Sequence, residues 1–299
     1  MIAIRSFRQM LLIFGSTGTL GQALRRVAAA RKMEARGAAR SGAEHALDIA
    51  DAGAILALCR AERPQLVVNC AAVTDLDLCE RQPATAYLVN TRAAGLIAAA
   101  SAEIGAQCVH ISTDHFFTGD GAMLHDEAAP VRLINEYARS KYAGEALALA
   151  VPGTLVVRTN LTGWRGWAGR ATFLEWAVGA LERREAISGF ADFFTSTLDA
   201  DTLADAIFDL AAADAAGLFN VAAHEATDKA TFLRHLARKL GLPAEGIRDG
   251  SVRLLATPRA ESLGLDVRKA EAALGYRLPG ESDIIAALAN ARPKLNYTS

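Results

Sequence analysis

Met10-Leu11-Leu12-Ile13-Phe14-Gly15-Ser16-Thr17-Gly18-Thr19-Leu20-Gly21 runs from an unbroken apolar stretch straight into three glycines, and a helix-patterned segment rich in Ala, Leu and Val follows from Gln22 to Arg31. A buried strand, a glycine turn and a helix in that order build an anion cradle. Glycine lets the backbone turn tightly and admits a pyrophosphate to its N–H groups, while the helix presents the positive end of its dipole. The glycine spacing is looser than the G-x-G-x-x-G form, and such triplets also occur in ordinary turns. The strand before and the helix after therefore carry the reading of a dinucleotide site.

Working outward, apolar strand-like runs recur at Leu66 to Cys70, Cys108 to Ser112, Thr154 to Arg158 and Leu218 to Val221. Between them lie Ala- and Leu-rich helical stretches at Ile55 to Ala61, Ala84 to Ile104, Tyr137 to Ala150 and Leu203 to Ala213. This alternation predicts a doubly wound parallel sheet, an α/β fold of Rossmann type, with a smaller and mostly C-terminal substrate lobe. The change of pattern after Gly163 and again beyond Val221 divides the chain into a dinucleotide-binding domain over residues 1–161 plus 198–222 and a substrate-binding lobe over 162–197 plus 223–299.

The chain has 299 residues, 52% hydrophobic and 22% charged, with a net charge of −1. That balance supplies no field for nucleic acid or an anionic bilayer, so small molecules are the expected partners. No stretch has the length and apolarity of a membrane span, and Met1 to Phe14 lacks the cleavage site of a signal peptide. Cys59, Cys70, Cys79 and Cys108 show no paired CxxC spacing. Neither a zinc site nor a disulfide framework is expected, no metal ligands are assigned, and a reducing cytoplasm is the expected location.

Tyr137 and Lys141 stand four apart at the start of a helical stretch, hence on one face. A phenol titrates near ~10, and bringing it to about 7 takes roughly 4 kcal/mol, which a neighbouring ammonium and an oxidised nicotinamide would supply. An exposed pair at this spacing also occurs without chemistry. Upstream, Val109-His110-Ile111-Ser112-Thr113-Asp114 reads as a buried strand delivering hydroxyls at its carboxyl end, where open α/β sheets place ligands. There Ser112 and Thr113 would polarise a substrate carbonyl or cap the next segment.

The glycines, Asn69-Cys70-Ala71-Ala72, Ser112-Thr113-Asp114 and Tyr137/Lys141 occur in this order, and together they resemble the extended short-chain dehydrogenase/reductase superfamily. More narrowly, Val68 to Asp77, His110 to Phe117 and Tyr137 to Glu145 look like the dTDP-4-dehydrorhamnose reductase branch, over about Leu11 to Ala222 and more weakly around Arg259 to Leu274. The resemblance implies that Thr113, Tyr137 and Lys141 are catalytic and that Lys141 also binds the nicotinamide ribose. It further implies that Asn69 to Ala72 line the cofactor and that Asp48, in Leu47-Asp48-Ile49, contacts the adenine. With these, Ser16, Thr17, Thr19, Leu20, Ile49, Asn90 and Ser112 complete the expected cofactor set.

About twenty residues past the last glycine stand Arg40 and Ser41, a cation and hydroxyl suited to a 2′-phosphate, so NADP(H) is favoured. Glu44 keeps NAD(H) open. Asp114 is followed by His115, whereas the sugar 4,6-dehydratases have an Asp-Glu pair; the missing carboxylate speaks against dehydration. His115 replaces an aromatic residue typical of the reductase branch. Thr74, Asp114, His115, Trp164 with its loop through Trp167, and Arg259 are candidates for a nucleotide-sugar's base, sugar and diphosphate. The segment Asp192 to Thr197 lacks the Gly and Pro usual in the branch, and the spacer from Pro130 to Tyr137 is longer, so the particular sugar stays open. The expected activity is NADPH-dependent reduction of a keto group on a nucleotide-activated sugar. A nucleotide-sugar epimerase and a dinucleotide-binding regulatory subunit like that of methionine adenosyltransferase are the alternatives. Homodimer formation is left open.

Overall fold

In the computed structural model, residues 10–166 and 171–293 are described. In chain order the main elements are β1 (Met10–Phe14), α1 (Thr19–Ala30), β2 (Glu34–Ala39), β3 (His45–Ala46), α2 (Ala52–Glu62), β4 (Leu66–Asn69), α3 (Ala93–Glu103), β5 (Gln107–Ile111), α4 (Glu136–Leu149), β6 (Leu155–Arg158), α5 (Ala200–Ala212) and β7 (Gly217–Asn220). The seven strands form one parallel sheet in the order β7-β6-β5-β4-β1-β2-β3. The order reverses at β1/β4, the kind of switch point beyond whose strand carboxyl ends open α/β sheets bind their ligands.

Side chains alternate along each central strand, and both faces are buried. Leu11, Ile13, Val68, Val109 and Val157 point into a core shared with α1 and α5. Leu12, Phe14, Val67, Cys108 and Val156 point into a second core against α2 and α3. Strands covered on both sides read as continuous apolar runs, which is why β1, β4, β5, β6 and β7 were legible as such.

β2 was not. Its sequence, Glu-Ala-Arg-Gly-Ala-Ala, is polar and small because it lies beside the glycine turn. A Cβ at Gly37 would collide with the Arg25 guanidinium and the Ser16 side chain, so only glycine lets the strand approach. The expected single helix from Ala84 to Ile104 is also divided: Pro83–Ala86, a π-helical turn at Tyr87–Arg92, then α3.

The small lobe is built from short strands. A four-stranded sheet runs Thr227–Asp228, Phe194–Thr195, Ser262–Leu265 and Leu124–His125, and two parallel pairs join Asn160–Thr162 to Thr197–Asp199 and Ile187–Phe190 to Ile247–Gly250. At the end of β7 the buried Asn220 amide donates to His125 O at 2.9 Å and Asp266 O at 3.1 Å, tying this sheet to the large one.

Candidate active site

The glycine turn is held in place by its neighbours. Gly15 has φ +81°, and its N–H donates to Ala38 O at 2.8 Å. A Cβ there would lie 2.7 Å from Ala71 N, so the turn passes against the loop that follows β4. Gly21 is equally constrained, since a Cβ would collide with the Gly15 carbonyl oxygen. Gly18 caps α1 without a side-chain acceptor, and the buried Ser16 hydroxyl has no partner among the described residues. Helix-start N–H groups with no side-chain acceptor and an orphaned hydroxyl beside a glycine cradle fit a dinucleotide pyrophosphate. Thr17 and Thr19 are partly exposed on this turn, while Leu20 is buried in the core beneath it.

Arg40 and Ser41 are exposed directly after β2, and Arg40 has no ion pair among the described residues. Glu44, the acid that kept NAD(H) open, is already engaged. It pairs with Arg25 and accepts the Gly37 N–H at 3.1 Å, and the Arg25 guanidinium holds its carboxyl down at about 2. Asp48 is exposed, with one oxygen accepting Ala50 N–H at 2.9 Å, and Ile49 is buried in the α2-side core.

The loop after β4 is pinned from below. Asn69 accepts the Ala71 N–H at 3.1 Å and its amide N–H group lies 3.1 Å from His110 Nδ1. Cys70, Ala71 and Ala72 are partly exposed; burial pushes the Cys70 thiol up to about 12, which makes it a packing group. Asn90, carried by the π-helical turn, accepts Val73 N–H at 2.8 Å and donates to Val73 O at 3.0 Å and Ser140 Oγ at 3.1 Å. Its amide is thereby committed to the protein and ties the loop after β4 to α4. Thr74 is exposed on the same loop.

β5 ends at Ile111, and Ser112 N–H continues the ladder to Val157 O at 2.7 Å before the chain turns. The Ser112 hydroxyl is buried without a partner among the described residues. Thr113, also buried, is the polar neighbour of the Tyr137 phenol. α4 is launched by Asn135, whose side chain accepts Ala138 N–H at 2.8 Å and donates to Pro258 O at 2.9 Å, so the start of the helix is bound to the loop carrying Arg259. Tyr137 and Lys141 are 7% and 2% exposed.

The Lys141 ammonium donates to Ile111 O at 2.7 Å. Burial raises Tyr137 above its ordinary value, with only Thr113 pulling it back. Burial also lowers Lys141 to about 8, opposed by Glu145. A phenol that keeps its proton is the form a reduction requires, because the carbonyl oxygen must receive one.

His115 stands edge-on to Tyr137 at 5.4 Å and against Phe193 at 5.9 Å. Burial, with Arg259 and Lys229 adding to it, holds His115 down at about 3, so the ring is neutral and its Nδ1 has no partner among the described residues. Arg259 is partly buried, with an unpartnered Nε. Asp114 sits behind the site, 1% exposed and bonded to Asn160. Trp164 lies in the main core and gives its indole N–H to Leu288 O at 2.8 Å, the placement of a packing residue; Trp167 lies outside the described residues. Lys229, Asn160 and Thr197 join this cluster with no signal for it in the sequence. They are far apart in sequence and match no local motif, and only the juxtaposition of the lobes brings them to Asp114. Among the described residues no group of His, Cys, Asp and Glu side chains would hold a metal, the four cysteines are free, and no helix is long and apolar enough to cross a membrane.

The chain is 31% identical over 249 residues to a probable low-salt glycan biosynthesis reductase of Haloferax volcanii, covering 82% of this chain and 83% of that one. It is 31% identical over 243 residues to dTDP-4-dehydrorhamnose reductase of Escherichia coli, covering 78% and 80%. Its fold superposes with a TM-score of 0.86 on dTDP-4-dehydrorhamnose reductase of Bacillus anthracis solved with NADP, at 24% identity and covering 96% of this chain and 100% of that one. The model of the RmlD substrate binding domain matches residues 9–290, nearly the whole chain with both lobes and the crevice between them, and the protein therefore belongs to that family.

Proposed function

We propose that this protein reduces the keto group of a nucleotide-activated sugar of the dTDP-4-dehydrorhamnose type with NADPH. One observation carries the reading: Tyr137 is buried at the start of α4 next to the Thr113 hydroxyl that follows β5, with Lys141 one turn further along the same helix and bonded to Ile111 O at the end of β5. The glycine turn and Ser16 would hold the pyrophosphate, Arg40 and Ser41 the 2′-phosphate, and Lys141 the nicotinamide ribose. When bound, the reduced nicotinamide supplies the hydride. The chain's own work is acid catalysis and positioning. Thr113 donates to the carbonyl oxygen and orients it, and Tyr137 gives its proton to that oxygen as it becomes a hydroxyl. The phenolate that remains is stabilised by the Lys141 ammonium, whose charge matters at this point and not in the resting site.

Arg259, whose Nε has no partner among the described residues, and His115 beside it are assigned to the substrate side, which suits a sugar diphosphate. In this scheme residues 1–161 plus 198–222 serve the cofactor and residues 162–197 plus 223–299 the sugar, with Leu124–His125 crossing that division to pair with Gly264 and Leu265 and the pair Asn160–Thr162/Thr197–Asp199 lying at the junction. Free cysteines are consistent with a reducing cytoplasm. Exposed Tyr87, Leu88 and Leu147 form an apolar face on neighbouring helices that suits pairing with a second copy.

The test is consumption of NADPH absorbance with dTDP-4-dehydrorhamnose and related keto-sugars, with product stereochemistry read by NMR. Tyr137→Phe is expected to lower kcat by about a hundred- to ten-thousand-fold while leaving NADPH affinity unchanged in a fluorescence titration. Conversion of sugar without net NADPH consumption identifies an epimerase instead.

A further inference from the structure

A chain of polar groups leaves the site toward the small lobe. One Asp114 carboxyl oxygen lies 3.4 Å from the Thr113 hydroxyl, and the other accepts the Asn160 amide N–H at 2.8 Å. The Asn160 carbonyl oxygen accepts the Thr197 hydroxyl proton at 2.8 Å. Thr197 has no further hydrogen, so it accepts from Thr195 at 2.8 Å and from the Lys229 ammonium at 3.3 Å. Four separate segments thus converge on one buried carboxyl: the loop after β5, Asn160–Thr162, Thr197–Asp199 and the helix Lys229–Lys239. The rings of Phe173 and Phe232 stand 5.8 Å from the ammonium and keep it among these groups.

The reaction above leaves Tyr137 as a phenolate in a pocket whose burial opposes charge, so the proton must be replaced quickly. We propose that Asp114 is the proton reservoir that recharges Tyr137 through the Thr113 hydroxyl, with Lys229 as the counter-ion for the charge left on Asp114; the proposal rests on the reductase reading. The Thr113 O–H bond breaks toward the phenolate oxygen as the Asp114 carboxyl O–H bond breaks toward the Thr113 oxygen. Two O–H bonds break and two form, the electron pair ends on the Asp114 carboxylate, and nothing is oxidised or reduced. Solvent then restores the proton to Asp114.

The groups facing Asp114 support this assignment. Burial lifts its carboxyl to about 7, with Asn160, Lys229 and Thr113 pulling it back, so a proton is available near neutrality. Lys229 is itself lowered to about 8 by burial and raised by Asp114. His115 Nε2 lies 3.9 Å from the carboxyl but the ring is neutral, and Arg259 acts on His115, which leaves Lys229 as the compensating cation.

Asp114 acts on the substrate only through its neighbours, so the experiment reads the carboxyl directly. Infrared difference titration of the ligand-free protein is expected to show a protonated-carboxyl band that disappears between about pH 6 and 8 and is absent from Asp114→Asn. Lys229→Met moves the midpoint to higher pH and Lys229→Arg restores it. In stopped-flow with substrate, Asp114→Asn is expected to slow the turnovers after the first by about tenfold or more relative to its own first turnover, a split that wild type does not show. A carboxyl ionised throughout this range, a midpoint indifferent to Lys229→Met, or an unchanged steady-state rate in Asp114→Asn overturns the reservoir while the reductase reading stands. Loss of all keto-sugar reduction in wild type overturns both.

Discussion

Arg40 and Asp114 show how placement decides what a charged side chain does. Arg40 is exposed at the end of β2, and Glu44, an acid that would compete for a ribose hydroxyl, is held by Arg25. Arg40→Ala is therefore expected to raise the NADPH dissociation constant by about 10- to 100-fold, the loss of one charge-assisted hydrogen bond, and to leave NADH binding unchanged. Isothermal titration with each cofactor checks it. Asp114 is a buried acid whose carboxyl moves from its ordinary 3.8 up to about 7 in the folded protein, burial being the main cause. A group raised on folding contributes its stability fully below the unfolded value and loses it as pH climbs through the folded value. Asp114→Asn has no such loss. Its melting temperature should gain on wild type as pH rises from about 4 to about 7 and then level off, as scanning calorimetry across that range would report.

α4 gathers most of the chemistry on one element. It carries Tyr137 and Lys141 toward the crevice, and one turn further on Glu145 forms a buried bidentate pair with Arg158 of β6, with N–O distances of 2.9 Å. On its other side Gly144 lies so close to the π-helical turn that a Cβ would collide with Asn90 O. The neighbour is backbone and the same turn pins Val73, so it has little freedom to yield. Gly144→Ala is expected to destabilise the fold by about 1–3 kcal/mol and to reduce kcat by displacing α4, with urea unfolding and steady-state kinetics reading the two effects. A π-helical turn at this place is consistent with the tendency of such turns to lie at functional sites.

Across the whole molecule, the main core extends from the sheet into the small lobe. Trp164 packs in it with Leu11 and Val157 of the sheet, and its indole N–H reaches Leu288 O on the helix Glu281–Asn290. Trp164→Phe keeps most of the ring but leaves that carbonyl without its donor. A loss of about 1–3 kcal/mol in stability is expected, with KM for the nucleotide-sugar unchanged. A raised KM at unchanged stability instead assigns Trp164 to base recognition. This shared core joins the two lobes that supply Thr113 and Tyr137 on one side and Lys229 on the other.

Local patterns were enough wherever a residue's role is set by its own neighbours along the chain. Apolar runs buried on both faces announced β1, β4, β5, β6 and β7, the glycine turn announced the cradle, and the four-residue step from Tyr137 to Lys141 placed both on one helix face. β2 escaped because its composition answers to Ser16 and Arg25, which pack against it from another segment. The two- to four-residue strands of the small lobe are too short to show a period. Only the folded structure brought Asn160, Thr197 and Lys229 to Asp114, engaged Glu44 with Arg25, and turned Trp164 inward. Burial and electrostatic pairing depend on distance in space, and that distance is set by how the lobes close on each other.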